Sequence, residues 1–270
     1  MMDESRDPLV SFYMTVRNGL PFLPGSIESI RKQTYSNWEA VIVDDGSFDN
    51  TLEYLREVEK IDPRFRVIAT DGVGRGKALN MAIESARGEY VANLDSDDLS
   101  HPQRLEVQVS ILLATKCSLL YSETSYIHDD DDIEWSHLSQ PISHHVEDVS
   151  MDLMKRNPVS HISVICQRSA IIEVGLYSEV RKSQLDYELW FRLVKNGVAL
   201  QRTNYCLAAK RIHTAQSFEN KKRIKYLFSS MLLQNKIISE IDGGIRYRPY
   251  PFLRFIYGLL PQKLRVRRTR

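Results

Sequence analysis

Cysteine is scarce in this chain of 270 residues, which has three: Cys117, Cys166 and Cys206. An odd, widely spaced set without a C-x-x-C pair excludes a disulfide framework and offers no zinc spacing. These residues read instead as small buried hydrophobes in a reducing compartment. Long apolar runs are missing too, none approaching the roughly 18 residues that span a bilayer. The first residues, Met1 to Pro8, include Asp3, Glu4 and Asp7 where a secretory signal needs a basic and then an apolar region. The expected location is therefore cytoplasmic. Two nucleotide-binding loops are absent as well. Gly72-Val73-Gly74-Arg75-Gly76-Lys77-Ala78 is glycine-rich, but a phosphate-binding Walker loop needs Gly at 71 and Ser or Thr at 78, where this chain has Asp71 and Ala78. The G-x-G-x-x-G spacing of a dinucleotide fold is also lacking.

Acids are missing from one end. Residues 246–270 carry eight Lys/Arg and no Asp or Glu, so a net charge of +1 leaves −7 for residues 1–245. A mildly acidic body argues against a nucleic-acid binder, whose binding face is normally basic. The apolar, aromatic stretch Phe252 to Leu260 followed by the basic Lys263 to Arg270 suits an anionic membrane surface, on the inner face of the cell membrane. The other reading is a segment packed on the domain with a solvated basic end.

Acids are concentrated elsewhere. The strand-like run Glu89 to Leu94 ends in Asp95-Ser96-Asp97-Asp98. Three carboxylates in four residues repel one another and are best tolerated beside a cation or in open water, as in a plain acidic turn. Hard divalent ions take one or two carboxylates plus the phosphates of a substrate, so a strand ending in D-x-D-D suggests a metal–diphosphate site. A second acidic pair, Asp44-Asp45, follows the apolar run Ala40 to Val43. Leu9 to Met14, Ala40 to Val43, Phe65 to Ile68 and Tyr90 to Leu94 alternate with helical patterns, among them one with Asn50 placed as cap. That rhythm implies an α/β fold with a parallel sheet flanked by helices and ligands at the strands' carboxyl ends. A helix from Gln103 to about Thr115, a strand Ser118 to Tyr121, an irregular stretch from His128 to Val149 with a solvated run Asp129 to Asp132, a helix over 184–196 and an amphipathic helix over 218–241 follow. The glycines of 72–76 let backbone approach a ligand, with Arg75 or Lys77 near phosphate.

These pieces, in this order, resemble family 2 glycosyltransferases. The resemblance rests on Val10 to Asn18, Ser29 to Tyr35, Val43 to Thr51, Ala78-Leu79-Asn80, Ala86 to Tyr90, Asp95 to Asp98 and Pro102 to Gln108. It continues through Asn157 to His161, Gly175-Leu176-Tyr177, Asp186 to Leu193 and Arg211-Ile212-His213, covering about residues 8–217. It implies a GT-A domain over 1–217, with a nucleotide-binding half (8–100) and an acceptor-binding half (101–217), and a helical, basic extension over 218–270. It implies an inverting transfer from a nucleotide-diphospho-sugar, expected to be a UDP-sugar, to a glycan or lipid-linked glycan in bacterial surface polysaccharide synthesis. The implied cofactor is Mg²⁺ or Mn²⁺. By similarity, Thr15, Arg17 and Asn18 with Asp44 and Asp45 hold base and ribose, and Asp95 contacts ribose or metal. Asn80 and Ser96 belong to the same donor site. Asp97 ligates the metal, His213 is the late metal-site residue near the diphosphate, and Asp186 is the catalytic base. His161 and Trp135 are candidate acceptor contacts, while Trp38 and Trp190 sit in core-like patterns. Two positions depart from the family pattern: Arg17 stands where Tyr is common, and Leu185 precedes Asp186 where an acid is usual. The competing readings are a non-catalytic sugar-nucleotide-binding subunit and a nucleotidyltransferase.

Overall fold

The computed structural model describes residues 7–128, 133–138, 140–213, 223–241 and 245–260. Parallel strands β1 (Val10–Val16), β2 (Trp38–Asp45), β3 (Phe65–Thr70) and β4 (Tyr90–Asn93) build the first half of the sheet. They are linked by helices α1 (Leu23–Arg31), α2 (Thr51–Ile61) and α3 (Arg75–Ser85). Their spatial order is β3-β2-β1-β4, so the chain steps outward from β1 and then returns to its other side. The crevice at that reversal, beyond the carboxyl ends of β1 and β4, is where open α/β sheets bind ligands.

The second half is mixed. β5 (Leu99–Ser100) leads into α4 (Arg104–Thr115), β6 (Leu119–His128), β7 (Glu147–Asp148), β8 (Ile165–Gln167) and α5 (Arg168–Glu173). α6 (Leu185–Lys195) and β9 (Gln201–Ile212) close the domain, and α7 (Arg223–Glu240) and α8 (Pro249–Leu259) form the extension. β8 continues the sheet antiparallel to β4, and β6, β9 and β5 complete it. β6 is longer than its apolar start at 119–121 predicts. Its second half is largely solvent-facing and is held by its parallel ladder to β9 rather than by burial.

Alternation along the strands sorts the core onto two faces. Tyr13, Val41 and Val91 pack with α3, α5, α6 and α7, whereas Phe12, Met14, Ile42 and Ala92 pack with α1, α2 and α4. Trp190 and Trp38 are buried, as their patterns predict. Cys166 is buried and Cys117 half-buried, but Cys206 is exposed, correcting its reading as core: it falls where β9 bulges away from β6. Asn50 makes no capping bond from its side chain. The carboxylate of Asp49 accepts the Thr51 N–H at 3.0 Å instead. The acid run 129–132, residues 218–222 of the expected C-terminal helix and the basic run from Lys263 lie outside the described residues.

One buried cation joins the halves. Arg104 donates to the carbonyls of Asn93 (3.0 Å), Ile162 (2.8 Å) and Val164 (3.0 Å) and to Gln108 Oε1 (3.0 Å). Burial pushes its guanidinium down to about 9, and hydrogen bonds to neutral acceptors take the place of a carboxylate.

Candidate active site

The mouth of the crevice is stitched by loop-to-loop bonds. Asn18 sits in the left-handed region (φ 54°), which Asn tolerates. Its N–H donates to Ser47 Oγ at 2.9 Å and its Oδ1 accepts the Phe48 N–H at 2.9 Å. Gly46 (φ 77°) lies so close to Gly72 that an added Cβ would stand 2.8 Å from its backbone nitrogen. Asp45 explains that approach. Its carboxylate accepts the N–H groups of Val73 (2.7 Å) and Gly74 (3.1 Å) and the Thr70 hydroxyl (3.0 Å), fixing the glycine-rich loop. Asp44 uses Oδ1 on the Ser47 N–H (2.9 Å), while its buried Oδ2 has no partner among the described residues. Thr15 is half-buried at the end of β1, and Arg17 is exposed beside Gly72.

At the end of β4, Asp95 receives both bonds of a fork from Arg75 Nη2, at 2.9 Å each. Burial opposes ionising Asp95, but Arg75 and then His161 outweigh it, and the carboxyl titrates below its ordinary value. The same pairing raises Arg75. Ser96 is half-buried and near Gly19. Ligand atoms of Asp95, Asp97 and Asp98 all lie within 4.8 Å of one another. Asp98 differs from its neighbours: it is buried, and Oδ1 accepts the Arg211 N–H at 2.7 Å. Burial, then Asp97 and Asp95, raise it well above the usual carboxylate range.

β5 follows at once and pairs with β9 (Leu99 with Ala209), which delivers the end of β9 to the same place. There Nε2 of His213 lies 3.0 Å from Asp97 Oδ2, and the imidazole packs on Phe22 with ring centroids 4.5 Å apart. His213 Nδ1 is buried and without a partner among the described residues. Carboxylate oxygens with one imidazole form a donor set that suits Mn²⁺ or Mg²⁺, so the residues present fit a divalent ion.

Asp186 is the second residue of α6, and Gln184, in the left-handed region (φ 56°), takes the cap position. The carboxylate therefore stands on a rigid first turn without acting as the cap. Asn157 donates to its Oδ2 at 2.7 Å. Its charge is felt at Arg75, His161 and Tyr177, which puts it on the carboxylates' side of the sheet. Leu185, at the usual acid's position, is buried in the core.

His161 lies between these groups, with Nδ1 3.8 Å from Asp95 Oδ1 and Nε2 2.7 Å from the Tyr177 hydroxyl. Asn80 commits both amide atoms to the backbone of residue 177, accepting its N–H at 2.8 Å and donating to its carbonyl at 2.9 Å. The segment can lie this close because Gly76 has no Cβ, which would sit 2.5 Å from the Ser178 carbonyl. Lys77 is exposed on the first turn of α3. Trp135 packs edge-on against His101 (4.9 Å), and no contact joins it to the carboxylates among the described residues. The motif that carries His213 also carries Arg211, and neighbouring motifs carry Asn157 and Tyr177. Their positioning parts were not visible in sequence, because each partner lies on a distant element.

Comparison with known proteins bears on this arrangement. The family model described as "Glycosyl transferase family 2" matches residues 11–181. This chain belongs to glycosyl transferase family 2. It is 30% identical over 215 residues to TuaG of Bacillus subtilis (strain 168), whose name assigns it to teichuronic acid biosynthesis, spanning 79% of this chain and 83% of TuaG. It is 29% identical to WfgD of Escherichia coli, named a UDP-Glc:alpha-D-GlcNAc-diphosphoundecaprenol beta-1,3-glucosyltransferase, over 93% of each chain. Among solved structures, S. aureus TarS 1–349 in complex with UDP-GlcNAc superposes with a TM-score of 0.71 at 17% identity, covering 91% of this chain and 72% of that one. The mannosyltransferase PcManGT from Pyrobaculum calidifontis, in complex with GDP-Man and Mn²⁺, superposes at 0.68 and 15% identity over 95% of this chain and 75% of its own. The chain has a GT-A fold, as the sequence leads one to expect.

Proposed function

We propose that the chain is a divalent-metal-dependent, inverting glycosyltransferase. It would move a sugar from a nucleoside-diphosphate sugar to an acceptor hydroxyl in bacterial surface polysaccharide synthesis. The observation that carries this reading is the 3.0 Å contact between His213 and Asp97, made by residues 116 apart in sequence at the mouth of the β1/β4 crevice. Asp44, with one buried oxygen unpartnered, and Asn18 would meet base and ribose; Asp97 and His213 would hold the ion. A bound Mg²⁺ or Mn²⁺ supplies positive charge to the departing diphosphate. Asp186, steadied by Asn157, takes the proton of the acceptor hydroxyl as its oxygen bonds to the anomeric carbon and the nucleoside diphosphate leaves. General-base assistance of this kind is worth about 10²–10⁴-fold. A UDP-sugar is the proposed donor, supported by the WfgD name and the TarS complex, and a lipid-linked glycan the proposed acceptor, supported by WfgD.

Thermal stabilisation by nucleotides and nucleotide sugars, with and without Mn²⁺, tests the site. A metal-dependent shift with UDP-sugars that Asp97→Ala abolishes is expected. A second arm measures turnover: Asp186→Asn should lose about 10²–10⁴-fold while still being stabilised by nucleotide. Stabilisation without turnover on any lipid-linked glycan would favour a sugar-nucleotide-binding subunit instead.

A further inference from the structure

We propose that the α7–α8 hairpin docks this protein on an anionic lipid surface, without inserting across it. α8 is two-sided. Pro251 and Gly258 are buried on the side that faces α7, with Gly258 lying on Leu227. The opposite side exposes Phe252 (59%), Leu253 (59%) and Ile256 (45%). α7 adds a stripe at four-residue spacing, Ile224 (67%), Phe228 (50%) and Leu232 (54%). Soluble surfaces scatter such residues singly, whereas here they recur along the outer sides of two packed helices. The hairpin is pinned by Arg223, whose guanidinium donates to the carbonyls of Gly258 and of Leu260, the latter at 2.8 Å.

Charge decides the occupant. Residues 223–270 hold eleven Lys/Arg against two acids, Glu240 and Asp242, and Glu240 is paired with Lys195 and Lys236. A second copy of the chain would bring these cations together, and like-charge juxtaposition across an interface is costly. Apolar side chains flanked by a large excess of cations match an anionic headgroup layer, with acyl chains below for Phe and Ile. No helix among the described residues is long and apolar enough to cross a membrane, which agrees with lying in the interface.

α7 begins at the rim of the site: Tyr226 neighbours Gln184 and feels the charges of Asp186 and Lys210. Docking would thus bring that rim to the bilayer, within reach of an acceptor carried on lipid. This consequence rests on the transferase reading; the docking itself does not.

Flotation of the full chain with phosphatidylcholine vesicles, with and without phosphatidylglycerol, tests the surface without reference to activity. Wild type should float only with phosphatidylglycerol, and Phe252→Ser/Ile256→Ser should lose about tenfold or more in bound fraction. Arg265→Glu/Arg267→Glu/Arg268→Glu, whose sites lie beyond α8 in sequence, should bind anionic vesicles no better than neutral ones. Failure of wild type to float, or flotation of the apolar variant at the wild-type level, would overturn the proposal. So would a wild-type dimer that the apolar variant converts to monomer, because the face would then belong to a second copy.

Discussion

Nε2 of His161 lies 2.7 Å from the hydroxyl of Tyr177. That hydroxyl is also 2.8 Å from the hydroxyl of Tyr13, which is fully buried and has no other side-chain partner among the described residues. If Tyr13 accepted from Tyr177, its own O–H would be stranded in the core, which costs about 1–3 kcal/mol. The chain therefore runs from Tyr13 to Tyr177 to His161, making Nε2 an acceptor and leaving the proton of the neutral ring on Nδ1, the atom nearest Asp95. Ring ¹⁵N shifts should report the Nδ1–H tautomer in the wild type and a mixture in Tyr177→Phe. The variant should also lose about 1–3 kcal/mol of stability, because Nε2 is left without its partner.

The titration of His161 has a definite sign. Burial lowers it, against the pull of Asp95. Its folded value thus lies below the unfolded value of about 6.5. As pH falls through that unfolded value the unfolded chain takes up a proton first, so stability is lost on the acid side until the folded value is reached. Urea midpoints between about pH 8 and pH 5 should fall less steeply in His161→Gln than in wild type.

Glu39 should matter to folding rather than to the site. It is buried in β2 and accepts Ser11 Oγ (2.7 Å), the Arg87 N–H (2.7 Å) and the Arg87 guanidinium (2.6 Å). Burial alone would raise its carboxyl, yet these bonds together hold it below the ordinary value. The stability it contributes is present above an unfolded value of about 4.3 and is lost as pH falls through the folded one. Glu39→Gln should cost about 1–3 kcal/mol in neutral buffer by denaturant unfolding, with the gap to wild type narrowing in acid.

Asn157 is expected to act through Asp186. Asn157→Ala removes the donor to Oδ2 and frees the carboxylate to turn, so turnover should fall by up to about 10²-fold. The donor KM should stay near wild type, and Asn157→Ala/Asp186→Asn should be little worse than Asp186→Asn alone. Steady-state kinetics on the four proteins checks both.

What could be read in advance follows the range of the interactions. The strands ending in Asp44-Asp45 and Asp95 to Asp98 announce themselves because a continuous apolar run abuts a cluster of like charges. The first turn of α6 is equally local. Pairings that cross the molecule leave no periodic trace: Asp98 with the Arg211 N–H, Asn80 with the backbone of residue 177, Arg104 with three carbonyls. Nor does residue type alone separate Asp44, which keeps an unpartnered oxygen, from Asp45, which fixes a loop. The exposed second half of β6 is invisible for the opposite reason, since its hydrogen bonds rather than its side chains keep it extended.

The ladder between β6 and β9 carries an arithmetic of its own. Ser122 stands opposite Thr203 and Thr124 opposite Ala208, so one residue of β6 between those pairs corresponds to four of β9. The surplus is three, an odd number, and successive side chains of a strand point to opposite faces. The bulge therefore inverts the parity with which β9 approaches Arg211 and His213. Shortening it by one residue would turn those side chains over, whereas shortening it by two would preserve their sense. Which way the imidazole at the mouth of the crevice points is thus counted out some five to ten residues upstream of it.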